Sequence, residues 1–379
     1  MELKNDTSLS YFCSFPTFHT SSPSKMKCYL FDLDNTIIKT KSGLVYPRDE
    51  NDWEFFSEDV LVQLKELSNH SNHFLCIITN QRNIRKKNIK YDAFKKKIKM
   101  IYDIFERENI NIGLFVSYED DYYRKPLTGS FYKIYEYFKK HVKKIDMKDS
   151  IFIGDAAGRR GDHSWSDRFY ALNCGISFQT PEQYFLHQIE ELPQLPSQNF
   201  LQCESKELPI IPIKPNRLFC ILIMGAPASG KSTIAEQISK TYGGKIIETD
   251  KIKSKKKLYQ KCIHYFNHLQ NVIVVGTFPQ KKDRKEWIDK MKRDDIDIYG
   301  FEMNTSKPLI QHMNYFRCES SMGKIPIIPY VVYIIYKKKY QKMELQEGYK
   351  KIFEVTPCFQ FTSPKIEKIF HDYFISPSS

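Results

Sequence analysis

A chain of 379 residues, 41% apolar and 14% aromatic, is long enough for two ordinary domains with real cores, which excludes wholesale disorder. Its net charge of +13 favours an anionic partner, nucleic acid or a membrane surface, although lysine-rich surfaces often bind nothing specific. No apolar run reaches the ~18–20 residues of a membrane span, and the nine cysteines lack any C-x-x-C spacing, which reads as reduced thiols in an intracellular protein rather than bridges or zinc ligands.

Residues 1–25 are polar and Ser/Thr-rich, without the apolar core of a signal peptide, and read as a disordered leader. From 26 to 190, short apolar runs alternate with helical stretches. Cys28–Phe31, Phe74–Ile78, Ile112–Val116 and Ser150–Ile153 read as buried strands, and Asp59–Leu67, Tyr91–Glu108 and Ser130–Lys143 as helices. Such alternation predicts an α/β domain with a parallel sheet, whose ligands sit beyond the strand C-termini. Pro193, Pro196, Pro209, Pro212 and Pro215 then mark a linker over 191–217. A second parallel α/β domain is predicted over 218–379, with strands at Leu218–Met224, Lys245–Glu248, Asn271–Val275 and Ile298–Glu302. Its helices are expected at Thr233–Lys240, Lys256–Leu269, Asp283–Lys292 and Pro308–Cys318.

The first domain places a reactive group at each strand end. Asp32 follows the strand Cys28–Phe31 and suits a nucleophile toward phosphorus, provided that a metal offsets the phosphate charge. Asp34 stands two residues on, placed to protonate a leaving alkoxide and later to activate water. Thr79-Asn80-Gln81 offers a hydroxyl and amides for phosphate oxygens, and Arg124-Lys125-Pro126 supplies a cation, with Lys125 the candidate. Asp155, in Gly154-Asp155-Ala156-Ala157-Gly158-Arg159, completes an all-oxygen Mg²⁺ site with Asp32 and the backbone carbonyl of Asp34. Alone, D-x-D-x-T is also an ordinary polar turn; four strand-end motifs in this order are not.

In the second domain Gly225-Ala226-Pro227-Ala228-Ser229-Gly230-Lys231-Ser232-Thr233 follows a strand and opens a helix, the context of a P-loop that wraps the phosphates of ATP. Lys231 would reach the β- and γ-phosphates and Ser232 would ligate Mg²⁺, with Thr233 toward the α-phosphate. Asp250, after the strand Lys245–Glu248, is a candidate general base for an attacking hydroxyl; a helix N-cap is its structural alternative.

The first set of motifs, with Thr79-Asn80-Gln81-Arg82-Asn83-Ile84 and Ser166-Asp167-Arg168 before Ala171-Leu172-Asn173, resembles haloacid-dehalogenase-type phosphatases. More narrowly it resembles the phosphatase half of polynucleotide kinase 3′-phosphatase, a DNA end-repair family, over about 27–185. The resemblance makes Asp32 the nucleophile, Asp34 the acid/base and Asp155 a metal ligand, with Asp167 a second acidic group and Asp162 its weaker substitute. Asn35 stands where glycine is usual, and asparagine tolerates the positive φ required there. Over about 218–360 the chain resembles the 5′-kinase half of the same family more loosely. That resemblance implies Asp250 as the base, and Arg317, in His312-Met313-Asn314-Tyr315-Phe316-Arg317, as an arginine stabilising the transferred phosphate. Val275-Gly276-Thr277-Phe278 departs from the Asp-Asn-Thr-Asn usual in the family, and Arg284 only partly matches the arginines expected nearby.

Basic runs (Arg82 to Lys99, Lys251 to Lys257, Lys337 to Lys342) flank both sites and suit a groove tracking a phosphate backbone, with Tyr122, Tyr123 and Tyr340 as stacking candidates. The expectation is therefore a monomeric, nuclear enzyme that uses Mg²⁺ and ATP on DNA or RNA ends. It would remove 3′-phosphates and phosphorylate 5′-hydroxyls, with no membrane contact. The rivals are a 3′-phosphatase with a degenerate kinase half that only binds nucleotide or nucleic acid, a silent end-binding scaffold, and a metabolite phosphatase–kinase fusion.

Overall fold

A computed structural model describes residues 10–18, 22–82, 84, 88–201, 208–252, 254–357 and 359–375. Outside these fall about half of the leader, part of the linker, and Asn83, Arg85, Lys86, Lys87 and Lys253 of the motifs and basic runs. The chain divides into two compact units. Unit 1 comprises 1–196, 315–327 and 368–379, and unit 2 comprises 197–314 and 328–367. The predicted boundary at 218–379 is thereby corrected, because two later segments return to unit 1.

In unit 1 the elements run β1 (Tyr11–Ser14), β2 (Lys25–Phe31), β3 (Ile38–Lys39), β4 (Glu54–Phe55), α1 (Asp59–Ser68), β5 (His73–Asn80), α2 (Asn88–Arg107), β6 (Ile112–Ser117), α3 (Gly129–Lys140), β7 (Lys144–Ile145), β8 (Ile151–Ile153), α4 (Ser166–Cys174), β9 (Ser177–Gln179) and α5 (Pro181–Phe185). The main sheet has the order β1-β6-β5-β2-β8-β9, parallel except for the edge strand β1, with β7 on the start of β2. The leader is thus not wholly irregular: Tyr11 lies 5.1 Å, ring to ring, from Phe115, and the strand pairs Tyr11 with Ser117. The period of two sorts side chains to the two faces. Met26, Cys28 and Leu30 join Phe74, Cys76 and Phe152 on one face, while Phe31 joins Leu75, Ile77 and Leu114 on the other. Each such side chain, fully buried, contributes about 1.5–3 kcal/mol.

Unit 2 contains β10 (Leu218–Met224), α6 (Lys231–Tyr242), β11 (Lys245–Glu248), α7 (Lys255–Asn267), β12 (Val272–Gly276), α8 (Lys281–Met291), β13 (Ile296–Met303) and β14 (Lys351–Val355), together with α10 (Tyr330–Lys339). Helix α9 (Lys307–Ser320) begins in unit 2, its residues from Tyr315 belonging to unit 1, and α11 (Pro364–Asp372) likewise passes into unit 1. The sheet is all parallel, in the order β11-β12-β10-β13-β14. Cys220, Leu222 and Met224 face one core, and Phe219, Ile221 and Ile223 the other.

The proline-rich linker is fastened at both ends. Pro193 accepts a hydrogen bond from Arg168 in unit 1, whereas Ile211 is buried and Pro212 accepts one from the Tyr299 hydroxyl in unit 2. Arg284 does not serve phosphate. It is fully buried, forks onto both carboxylate oxygens of Glu347 at 2.7 and 2.8 Å, and donates to the carbonyls of Phe278, Gln341 and Lys342. One guanidinium therefore ties the loop after β12 to the segment before β14. Glu347→Ala strands that charge in the core and is expected to destabilise unit 2 by about 3–5 kcal/mol, read as an earlier chemical-denaturation transition.

Candidate active sites

The β2 strand of unit 1 has β5 on one side and β8 on the other, so three strand C-termini converge where chain connections diverge to opposite sides. Asp32 leaves β2, Thr79 and Asn80 end β5, and Gly154-Asp155 follow β8. Lys125 Nζ sits between two carboxylates, 2.6 Å from Asp32 Oδ1 and 2.7 Å from Asp167 Oδ1, with its own side chain 1% exposed. Oxygens of Asp32, Asp155 and Asp167 lie within 4.8 Å of one another. Burial pushes the Asp32 carboxyl well up, against the pull of Lys125, and Asp167 adds to the push. Burial also raises Asp155, reinforced by Asp167 and Asp32. Burial would lower Lys125, but Asp167 and Asp32 outweigh it and hold the lysine above its ordinary value.

Three clustered carboxylates against one lysine leave excess negative charge. Their oxygens suit a hard divalent cation. The residues present therefore fit the metal expected from the sequence. The backbone is cut to the same shape: a Cβ on Gly154 would fall 2.4 Å from Asp167 Oδ2. Asn35 has φ 56°, as expected, and its amide lies 3.4 Å from Asp155 Oδ2.

Several supporting roles differ from the sequence expectation. The Asn80 amide does not offer itself to phosphate; it clamps the Lys125 backbone, donating to its carbonyl at 3.1 Å and accepting from its N–H at 3.0 Å. Gln81 donates to Asp34 Oδ2 at 2.6 Å and to Thr79 Oγ1 at 2.9 Å. Asp162 accepts from the backbone of Ala157 and Arg159 and pairs with the Arg159 side chain, which leaves Asp167 as the acidic partner at the site. Lys97 was hidden in a basic run, yet its side chain is 8% exposed and pairs with Asp34 Oδ1 at 3.1 Å. The signal was its helical position, three residues after the buried Phe94 and one before Ile98. Tyr122 is buried with Leu127 and Cys318, so it is core and not a stacking platform.

In unit 2 the loop Gly225–Gly230 joins β10 to α6, with Gly230 at φ 89° where the helix begins. Lys231 Nζ folds over the loop and donates to the carbonyls of Gly225 at 3.0 Å and Ala226 at 2.6 Å. Ser232 Oγ donates to Glu248 Oε1 at 3.1 Å, and Glu248 also pairs with Lys251. Glu248, at the last position of β11, is a carboxylate beside the P-loop hydroxyl that sequence reasoning took only as strand. Asp250 lies two residues past the strand in a 3₁₀ turn, exposed to solvent. Pro227, Ala228, Ser229 and Thr233 occupy the loop and first helical turn as expected. Arg317 is not in this unit; it belongs to the Tyr315–Ile327 segment of unit 1, where its neighbour Cys318 is buried with Leu127. Its expected role beside the transferred phosphate has no geometric support within unit 2.

Gly276 ends β12 in a confined place. A Cβ on Gly276 would lie 2.6 Å from both the Phe278 ring and Thr249 Oγ1, so Phe278 occupies the space that a side chain at 276 would need.

A family model for polynucleotide kinase 3 phosphatase matches residues 27–185. The bifunctional polynucleotide phosphatase/kinase of Schizosaccharomyces pombe is 34% identical over 333 residues, which cover 87% of this chain and 79% of that protein. The polynucleotide 3′-phosphatase ZDP of Arabidopsis thaliana is 33% identical over 42% of this chain and 24% of its own length. The polynucleotide 3′-phosphatase of Saccharomyces cerevisiae is 27% identical over 45% of this chain and 92% of its own. With both sites in place and a relative similar along nearly the whole chain, the protein belongs to the bifunctional polynucleotide phosphatase/kinase family.

Proposed function

We propose that unit 1 removes the phosphate from 3′ ends of nucleic-acid strands and that unit 2 transfers the γ-phosphate of ATP to 5′-hydroxyl ends, leaving breaks ready for ligation. The observation that carries this is the pairing, in one chain, of a lysine-bridged carboxylate cluster at strand ends with a complete P-loop.

In unit 1 a carboxylate oxygen of Asp32 attacks phosphorus, and the bond from phosphorus to the 3′-oxygen breaks while Asp34 gives that oxygen a proton. Asp34 then takes a proton from a water whose oxygen attacks the phosphorus. The acyl-phosphate opens, returning Asp32 as a carboxylate and releasing inorganic phosphate. Gln81 and Lys97 fix the Asp34 carboxylate between two donors, and Thr79 and Lys125 stand ready for the phosphate oxygens. Asp32, Asp155 and Asp167, with the Asp34 carbonyl, would hold Mg²⁺, which supplies positive charge against the entering phosphate.

In unit 2 the P-loop amides and Lys231 would take the ATP phosphates, with Ser232 and Glu248 on the Mg²⁺ side and Asp250 receiving the proton of the attacking hydroxyl. The substrates are DNA ends or RNA ends, the latter differing by a 2′-hydroxyl beside the reacting 3′-oxygen, and the compartment of use is the nucleus.

End-labelled oligonucleotides separate the two activities. Asp32→Asn is expected to lower 3′-phosphate release by on the order of a thousandfold or more while 5′-labelling stays at the wild-type rate. Lys231→Ala should give the reverse pattern, losing ATP-dependent labelling with phosphate release intact; loss of both activities in either folded variant refutes the division.

Gly154→Ala introduces no charge and removes none, yet its Cβ must push the Asp167 carboxylate off Lys125. Phosphate release is expected to fall by about a hundredfold, with the kinase unaffected, as measured in the same two assays.

A further inference from the structure

The loop that carries Lys125 is held by parts of the chain far from the phosphatase motifs. Asn80 grips the Lys125 peptide from one side. The next carbonyl, that of Pro126, accepts from Asn173 Nδ2 at 2.9 Å; Asn173 sits near the end of α4, the helix whose first turn carries Asp167. The same Asn173 amide is bound through both its ends to the backbone of Phe374, donating to its carbonyl at 3.1 Å and accepting from its N–H at 2.9 Å. The Phe374 ring stacks on Phe169 of α4 at 4.7 Å. Leu127, next in the loop, is buried with Tyr122, Cys318 and Ile375. Thr128 gives both its N–H, at 3.1 Å, and its hydroxyl to the carboxylate of Glu319, which is 4% exposed. All these residues belong to unit 1, although Glu319 and Phe374 lie beyond the P-loop in sequence.

We propose that Glu319, the backbone of Phe374 and the side chain of Ile375 are positioning groups for the phosphatase, holding the Lys125–Thr128 loop so that Lys125 Nζ bridges Asp32 and Asp167. The inference rests on unit 1 being a phosphatase. Its physical basis is the reach of the lysine. Nζ must satisfy two carboxylates at 2.6 and 2.7 Å from a backbone fixed residue by residue, at Lys125 by Asn80, at Pro126 by Asn173 and at Thr128 by Glu319. Removing the tail takes two hydrogen bonds from Asn173 and leaves it free to rotate away from Pro126. Removing the Glu319 carboxylate leaves the half-buried Thr128 N–H and hydroxyl without this acceptor. Misplacement of a catalytic group by about 1 Å can cost on the order of a hundredfold in rate.

The test uses the full chain, a chain ending at Asp372, and Glu319→Ala with Glu319→Gln as its conservative partner. Release of 3′-phosphate from an oligonucleotide is followed with Mg²⁺, together with rapid-quench detection of the phosphoenzyme and the 5′-kinase rate of the same preparations. The expected result for the shortened chain and for Glu319→Ala is a kcat and a phosphoenzyme formation rate at least about tenfold lower. KM should stay within twofold, the kinase rate should be unchanged, and Glu319→Gln, which keeps an acceptor for Thr128, should recover most of the loss. Should the shortened chain fail to fold, the Glu319→Ala and Glu319→Gln pair decides. Wild-type phosphate release in Glu319→Ala overturns the proposal, as does a parallel fall of phosphatase and kinase that tracks a lowered melting temperature. A wild-type chain that releases no 3′-phosphate instead fails the phosphatase reading itself, before any variant is compared.

Discussion

The Lys125 ammonium, buried between Asp32 and Asp167, is the constraint around which unit 1 is arranged. Leaving two carboxylates unpaired at such depth costs several kcal/mol each in desolvation, and a single misplaced lysine cannot compensate. The sheet delivers Asp32 from the central strand, and α4 delivers Asp167 through the gap left by the missing side chain of Gly154. The lysine comes from a loop with no regular structure, so its position needs separate fixing. That is why so much polar bonding (Asn80, Asn173, Glu319) goes to backbone groups at 125, 126 and 128 rather than to the reacting atoms.

Unit 2 shows the same logic with a different charge. Arg284 and Glu347 are both fully buried, and their fork-to-fork pairing leaves the remaining guanidinium hydrogens for three backbone carbonyls. The Phe278 carbonyl is one of them. The loop after β12 is therefore set by a buried arginine and by the fit of Phe278 over Gly276. At the start of α6, Ser232 and Glu248 form a polar pair beside the P-loop, the hydroxyl donating to the carboxylate at 3.1 Å.

What the sequence made legible follows from distance along the chain. Asp32, Thr79, Asp155, Lys231 and Ser232 each stand within a few residues of an apolar run, so strand-end chemistry reveals them without tertiary information. Asp167 came from resemblance, and Gly154 explains physically why it fits. Lys97, Asn80 and Glu319 are different. Each acts on a partner that only folding brings near, and a lysine in a lysine-rich helix looks the same whether it faces water or Asp34. The return of 315–327 and 368–379 to unit 1 carries no local signal, since hydrophobic periodicity tells that a helix face is buried but not against what. Tyr11–Ser14 was hidden for a related reason: four residues of edge strand inside a polar leader give too short a pattern to detect.

The basic surface needs the same separation of pattern from partner. Many lysines in the runs are already met by acids: Lys96 by Glu50, Lys99 by Asp103, Lys255 by Asp283, and Lys342 by Glu354. These four lysine side chains are 60–67% exposed, so each pair is worth only about 0–1 kcal/mol and yields readily to a phosphate that brings counterion release with it. Lys97 is the exception within its run, because its side chain is almost wholly removed from water and its partner is Asp34. At the end of α10, Lys338 and Lys339 line a groove of about 630 Å³ with Gln280, Ile335, Tyr340 and Gln341, and among the described residues neither has a carboxylate partner. A net charge of +13 is therefore a poor guide to where an anionic strand would lie. The relevant distinction is between lysines whose charge is exposed and exchangeable and, among the described residues, Lys97 and Lys125, whose charge is buried and paired with Asp34 and with Asp32 and Asp167.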